Sequence, residues 1–216
     1  MDKRFLAVLG VIVIIFGGIV FINSRSQKAV VGTPTNNVSG KLDSKVVVVE
    51  YGDFQCPACQ MYNSTTETVR VKYADRVKFQ FRNYPIPSLH PNAIGGARAA
   101  EAAALQGKFW QMHDLLYQQS NWTVWTNATD PNPNFESYAR QLGLNMTKYK
   151  TDFKSEKVNA TINADIAEFE KTGAEKATPT FFLNGKQIAL AKLYDTTGPS
   201  VDKFSAIIDQ ALAAVK

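Results

Sequence analysis

The chain has 216 residues, 45% hydrophobic and 11% aromatic, enough to bury one sizeable core without disulfide or metal staples. Its formal charge of +5 is concentrated at the start, where Lys3, Arg4, Arg25 and Lys28 are opposed only by Asp2; the remainder holds 24 − 4 = 20 basic and 19 − 1 = 18 acidic residues. A near-neutral folded part removes the electrostatic case for binding nucleic acid.

Residues 5–22 (FLAVLGVIVIIFGGIVFI) carry no charge over eighteen positions, about the minimum that crosses a hydrocarbon core as a helix. The run exceeds the ~7 to 15 apolar residues of a signal peptide, and Asn23-Ser24-Arg25-Ser26 offers only Ser-x-Ser for cleavage. Residues 1–22 are therefore expected to be an uncleaved transmembrane anchor, with a cleaved signal segment as the alternative. Basic residues flank both ends of the run equally, so charge alone leaves the orientation open. Residues 23–44, rich in Asn, Ser, Thr, Gly and Pro without apolar periodicity, read as a flexible linker.

The remaining residues, 45–216, are expected to form the folded domain. Residues 45–51 contain the β-branched run Val46-Val47-Val48-Val49 and suit a fully buried strand. A helix is expected from Pro57 to about Tyr73, and residues 77–83 alternate Val77, Phe79 and Phe81 against Lys78, Gln80 and Arg82. Strand, helix and strand at this spacing predict a right-handed βαβ unit. Helical patterns follow at residues 92–106, 108–119, 135–142, 146–153 and 155–172, with a polar loop at 119–134 carrying Trp122 and Trp125. So long a stretch, about 88–173, predicts an inserted helical subdomain. The strand period returns at Thr178-Pro179-Thr180-Phe181-Phe182-Leu183, Asn184-Gly185 signals a hairpin, and residues 199–215 close the chain as an amphipathic helix.

Cys56 and Cys59 are the only two cysteines. They stand in Cys56-Pro57-Ala58-Cys59 at the start of the first helix, where free amides and the helix dipole favour a thiolate. Cys56 is thus the candidate nucleophile and Cys59 the resolving thiol; a stabilised reduced thiolate also makes the corresponding disulfide more oxidising. The motif by itself leaves oxidation, reduction and zinc binding open. A Cys2His2 site with His90 and His113 would need spacings unlike those of zinc fingers, and a purely structural bridge over so short a loop stabilises little. The two histidines are otherwise expected to be supporting or surface groups, and the face of Phe109, Trp110, Leu116 and Tyr117 to be core.

The sequence resembles thioredoxin-fold enzymes, and within them the DsbA-like thiol oxidases of bacterial exported proteins. The resemblance is carried by Glu50-Tyr51-Gly52-Asp53-Phe54-Gln55-Cys56-Pro57-Ala58-Cys59, Phe81-Arg82-Asn83-Tyr84-Pro85 with His90-Pro91-Asn92-Ala93, Gly107-Lys108-Phe109-Trp110 with Met112-His113-Asp114, and Thr178-Pro179-Thr180-Phe181 with Asn184-Gly185. It is closest to membrane-anchored members from Gram-positive bacteria. It implies an α/β thioredoxin fold (βαβ + ββα) with an inserted helical subdomain, here preceded by one N-terminal transmembrane helix. It also implies that Pro179 is a cis-proline beside the redox pair, that the Thr178 backbone pairs with a bound peptide, and that Glu50 is a partly buried acid assisting proton transfer at Cys59.

One departure concerns strength. Strongly oxidising members carry His where this chain has Ala58, so a cationic neighbour of Cys56 is missing and a more moderate oxidant is expected. The function expected is an extracytoplasmic, single-pass, membrane-tethered thiol:disulfide oxidoreductase acting mainly as a dithiol oxidase. Its partners would be exported proteins with free thiols and a membrane quinone-linked reoxidase of the DsbB or VKOR-like kind, and sulfur exchange needs no cofactor. The alternatives are a reductase or isomerase of the same fold, or a non-enzymatic metal-binding or adhesion module.

Overall fold

The structure, a computed structural model, describes residues 32–215. Five strands, β1 (Asn37–Gly40), β2 (Val47–Gly52), β3 (Lys78–Asn83), β4 (Thr180–Leu183) and β5 (Lys186–Ile188), form one sheet in the order β1-β3-β2-β4-β5. The β-branched run puts β2 at the centre, parallel to β3 and antiparallel to β4. Asn184 (φ 49°) and Gly185 (φ 80°) turn β4 into β5, the left-handed pair that an Asn-Gly hairpin uses.

Two faces of the sheet are covered because β2 alternates its side chains. Val46, Val48, Phe79 and Phe181 pack against Tyr62 and Val69 of α1 (Pro57–Lys72) and, from the C-terminal end, Phe204 and Ile208 of the closing helix. Tyr51 and Phe182 point the other way, onto Tyr84 and Phe169. Between β3 and β4 lies the expected helical insertion, made of α2 (Ala93–Ala104), α3 (Phe109–Tyr117), α4 (Gln119–Thr126), α5 (Asn132–Gln141), α6 (Met146–Phe153) and α7 (Glu156–Lys171), of which α4 falls where a loop was expected. The closing helix is α8 (Val201–Ala214). The core of the insertion includes Phe54, Cys56, Cys59, Phe81, Met112, Leu116, Tyr117 and Trp125, so the two cysteines are packed against it.

Two expectations are corrected. The stretch expected as linker contains β1, which pairs antiparallel with β3 from Asn37↔Phe81 to Gly40↔Lys78. Its polar residues show no apolar period because this edge strand is held by main-chain bonds and polar clamps: Asn37 Nδ2 donates to Glu101 Oε1 at 2.7 Å, and Trp110 Nε1 donates to the Val38 carbonyl at 3.0 Å. Gly40 ends it at φ 81°, where a Cβ would stand 2.3 Å from the Val77 carbonyl oxygen.

The polar loop expected at residues 119–134 is largely helical, as α4 and the start of α5. Trp125 is fully buried and donates from Nε1 to the Leu116 carbonyl at 2.9 Å, while Trp122 Nε1 reaches the Phe54 carbonyl at 2.9 Å. Tertiary anchoring by two indoles overrides the weak local pattern. The membrane anchor expected at residues 1–22 lies outside the described residues; among the described residues no helix is long and apolar enough to cross a membrane.

Candidate active site

Strand β2 delivers the chain into the turn Gly52-Asp53-Phe54-Gln55 and then into α1. Cys56 stands at the N-cap (φ −70°, ψ 124°) and Pro57 follows at the first helical position, where its missing amide hydrogen costs nothing. Both cysteines are free thiols, Cys56 7% exposed and Cys59 fully buried. Pro57 is exposed at the surface of the turn, whereas Ala58 is partly buried against the insertion core.

Across from them, the Thr178–Pro179 peptide is cis, and Cys56 Sγ lies 3.4 Å from the Thr178 carbonyl oxygen. The Thr178 hydroxyl is buried with no partner among the described residues, and Pro179 is buried behind it. The proline expected to be cis is cis and stands beside Cys56.

These surroundings split the two thiols. A hydrogen bond from the Cys59 side chain, with smaller help from Thr178 and the amides of Cys59 and Ala58, outweighs burial and brings the Cys56 pKa down to about 6. Cys59 is pushed well above an ordinary thiol, first by burial and then by its bond to Cys56 and the charges of Cys56 and Glu50. At pH 7 the thiolate is therefore the favoured form of Cys56, while Cys59 keeps its proton. The environment thus makes Cys56 the acidic thiol of the pair and Cys59 the protonated one.

Glu50 sits on β2 opposite Phe81 and Phe181. It lines a small cleft with Arg70, Trp110 and His113 that has room for about one water molecule. Burial pushes its pKa up to about 8, the charge of Arg70 opposing and that of Cys56 adding. A carboxyl group so placed holds a proton at neutral pH, and its charge is felt by Cys59. The structure gathers Glu50, Cys56, Cys59, Pro57, Ala58, Thr178 and Pro179 at one end of the sheet, at the start of α1 and the start of β4.

The histidines have other partners. His90 Nδ1 is 2.8 Å from Asp53 Oδ2, and His113 Nδ1 is 3.0 Å from Asp114 Oδ1. His113 is buried among Phe81, Trp110 and Tyr117, with ring centroids at 5.0, 5.1 and 5.0 Å, and burial lowers its pKa. Among the described residues no three His, Cys, Asp or Glu side chains gather as a metal-ligand set, so the Cys2His2 alternative has no geometry.

Sequence reasoning missed the residues that hold the active-site turn. Tyr117 of α3 donates its hydroxyl to the Asp53 carbonyl at 3.1 Å, Trp122 of α4 donates to Phe54, and Gln55 Nε2 donates to the Thr126 carbonyl at 2.9 Å. Asp53 Oδ1 accepts from the Gln55 amide at 2.8 Å, a local turn whose signal, an Asp two residues before the amide it caps, was present in the sequence. The clamps from α3 and α4 carry no such local signal.

The comparisons agree with this architecture. A family model described as Thioredoxin matches residues 32–210. A curated relative, "Na(+)/H(+) antiporter NhaA 1" of Mycolicibacterium vanbaalenii, is 35% identical over 152 residues, covering 69% of this chain and 23% of the relative. The chain thus spans about a quarter of the length of that relative. Among solved structures, BdbD from Bacillus subtilis in its oxidised form shares the fold with a TM-score of 0.64 and 24% identity, over 86% of this chain and 98% of that one. Wolbachia pipientis alpha-DsbA1 shares it with a TM-score of 0.66 and 17% identity, over 84% and 94%.

Proposed function

From the premise that the chain belongs to the thioredoxin family, we propose that it is a protein thiol:disulfide oxidoreductase working mainly as a dithiol oxidase on exported proteins. The observation that carries this reading is the division of labour between two thiols: Cys56 depressed to about 6 beside cis-Pro179, Cys59 raised and buried. Stabilising the Cys56 thiolate favours the reduced enzyme, so the Cys56–Cys59 disulfide gives up its oxidising equivalents readily. Solved structures of similar fold, one of them named as a thiol-disulfide exchange protein, support disulfide exchange as the chemistry.

The cycle starts from the disulfide. A substrate thiolate attacks Cys56 Sγ, the Cys56–Cys59 bond breaks, and the electron pair leaves on Cys59. Glu50, protonated at neutral pH, supplies the proton that makes Cys59 a neutral thiol. A second substrate thiolate then attacks the substrate sulfur of the mixed disulfide, forming the substrate disulfide and expelling Cys56 as a thiolate. Two electrons pass from the substrate dithiol to the enzyme; one substrate proton replaces that lost from Glu50 and the other goes to solvent. Reoxidation of the dithiol returns those electrons to a partner, for which a membrane quinone-linked reoxidase of the DsbB or VKOR-like kind has the required chemistry.

Pro57 and Met61, four residues apart on α1, are both exposed, and Tyr194, itself exposed, reaches Met61 with its hydroxyl 3.8 Å from Sδ. This apolar strip suits an unfolded substrate chain rather than a small polar disulfide. The uncharged run at residues 5–22 and the need for an oxidising compartment support a membrane-anchored domain on the extracytoplasmic side.

The deciding measurement is the equilibrium of the Cys56–Cys59 pair against glutathione. A strongly or moderately oxidising potential is expected; a value near thioredoxin's would make the chain a reductase. Labelling of reduced Cys56 in intact cells by a membrane-impermeant thiol reagent checks the location, and protection of Cys56 would put the domain in the cytosol.

A further inference from the structure

We propose that Asp53 and His90 form a positioning pair that holds the Asp53 amide against the sulfur of Cys59 and so sets how strongly the redox pair oxidises. The inference rests on the disulfide-exchange reading and adds to it a role for a histidine that lies outside the Cys-Pro-Ala-Cys motif.

Asp53 is 1% exposed, and every polar group it has is used. Its amide donates to Cys59 Sγ at 3.5 Å. Its carbonyl accepts from the Cys56 amide at 3.0 Å and from the Tyr117 hydroxyl at 3.1 Å. Oδ1 accepts from the Gln55 amide at 2.8 Å, and Oδ2 accepts from the Ile86 amide at 2.8 Å and faces His90 Nδ1 at 2.8 Å. The last contact joins a ring nitrogen of His90 to the carboxyl group of Asp53 through one shared hydrogen. One residue therefore touches both cysteines through its main chain while its side chain is fixed from elsewhere.

The fixing comes from the segment between β3 and α2. The amides of Leu89 and His90 close a turn onto the Ile86 carbonyl at 3.0 and 2.9 Å, and the Asn92 amide donates to Gln55 Oε1 at 2.6 Å. A buried carboxylate needs all its donors to offset lost hydration, so removing His90 loosens the group whose orientation aims the Asp53 amide.

The consequence reaches the nucleophile through Cys59. In the reduced enzyme the Cys59 side chain bonds to Cys56, and that bond is the largest cause of the low Cys56 pKa. An amide donating to Cys59 Sγ polarises the thiol and makes it a better donor to the Cys56 thiolate, because hydrogen bonds in a chain strengthen one another. Without it the thiolate is less stabilised, the reduced form is less favoured, and the disulfide is a weaker oxidant.

The test uses the full chain, purified in detergent, with His90→Ala and His90→Asn variants; the Asn amide offers a donor close to where Nδ1 stood. Cys56 is titrated by the ultraviolet absorbance of its thiolate, and the redox pair is equilibrated with glutathione. His90→Ala is expected to raise the Cys56 midpoint by about one unit and to lower the equilibrium constant for oxidising glutathione about tenfold, with His90→Asn restoring most of both. A folded His90→Ala chain whose midpoint and constant match the wild type overturns the positioning role and leaves disulfide exchange standing. A wild-type Cys56 that titrates like a free thiol overturns the functional reading itself. Should His90→Ala not fold, the wild-type chain still decides: the amide proton resonance of Asp53 must move when the Cys56–Cys59 pair is oxidised, and an unmoved resonance overturns the proposal.

Discussion

Cys56 Sγ lies 3.4 Å from the carbonyl oxygen of Thr178, a residue 122 positions away in the chain. That contact joins the start of α1 to the cis Thr178–Pro179 peptide. The Thr178 hydroxyl, buried and with no hydrogen-bond partner among the described residues, is on the same residue and helps to lower the Cys56 pKa.

Thr178→Val removes that hydroxyl with little change of shape and leaves the carbonyl contact in place. The hydroxyl has no hydrogen-bond partner among the described residues, so its loss leaves no buried acceptor unpaired and the melting temperature is expected to change little. The Cys56 thiolate loses one of the bonds that lower its pKa, so its titration midpoint should rise from about 6 and the disulfide should become less oxidising. Thiolate absorbance against pH and a glutathione equilibrium read the two effects. An unchanged midpoint would show that the hydroxyl does not reach the sulfur.

The resolving cysteine gives a sharper outcome, because its side chain is the largest cause of the low Cys56 pKa. In Cys59→Ala the midpoint of Cys56 should rise well above about 6, and by more than in Thr178→Val. The same variant should trap disulfide-containing substrates: its Cys56 thiolate attacks the substrate disulfide and expels one substrate thiolate, and no second thiol is left within the chain to displace the sulfur it holds. Cys56→Ala should trap nothing, because Cys59 is buried and keeps its proton at neutral pH. Alkylation rates with iodoacetamide and non-reducing gels separate the two variants.

Why the chemistry was legible in the sequence while its supports were not follows from the range of the interactions. Cys56, Pro57 and Cys59 act through the first turn of one helix, and Val46 to Val49 announce a buried strand, so both are readable within ten residues. The roles of Thr178, Pro179 and Glu50 rested on family resemblance, since a cis peptide and a shifted carboxyl depend on contacts across the sheet. Tyr117, Trp122 and His90 could not be assigned to the active-site turn from periodicity, because each reaches it from another element. β1 escaped for a related reason: Asn37 looks like a linker residue until Glu101 is beside it.

Glu50 should write itself into the pH dependence of stability. Its folded pKa is raised to about 8 against an ordinary 4.5, so between these values the folded chain holds a proton that the unfolded chain has lost. Stability from this group is therefore fully present below about pH 4.5 and declines as pH rises toward about 8. Glu50→Gln removes the decline, and its urea midpoint should exceed that of the wild type at pH 8 by more than at pH 5. The same change should slow thiol oxidation of a reduced exported protein at neutral pH, since Cys59 loses its proton source as a leaving group. Equal slopes of stability against pH in the two chains would exclude the buried-acid role.

The last prediction concerns the tether between β1 and the insertion. Asn83, fully buried, donates from Nδ2 to Glu101 Oε1 at 2.7 Å and to Asp165 Oδ2 at 3.1 Å, and its amide donates to the same Asp165 oxygen at 2.9 Å. Asn37 of β1 donates to the same Glu101 oxygen, and the Thr35 amide donates to Asp165 Oδ1 at 2.8 Å. Two buried carboxyl groups are thus held by two asparagines, with Arg82 Nη1 3.7 Å from Asp165 Oδ1. Asn83→Ala strips donors from both acids at once and should cost on the order of 3 kcal/mol. Asn37→Ala strips one donor and should cost on the order of 1 kcal/mol, with faster amide exchange confined to β1 and its partner β3. Burial raises Glu101 to about 7, so stability from this group is present below about pH 4.5 and lost as pH approaches 7. The protection of β1 amides should therefore weaken over that interval more than solvent exchange chemistry accounts for, and Glu101→Gln should flatten it. The redox pair does not share this network, so the Cys56 midpoint in a folded Asn37→Ala chain should stay near 6. A midpoint that moved with β1 would mean that the edge strand, and not only the turn around Asp53, supports the thiols.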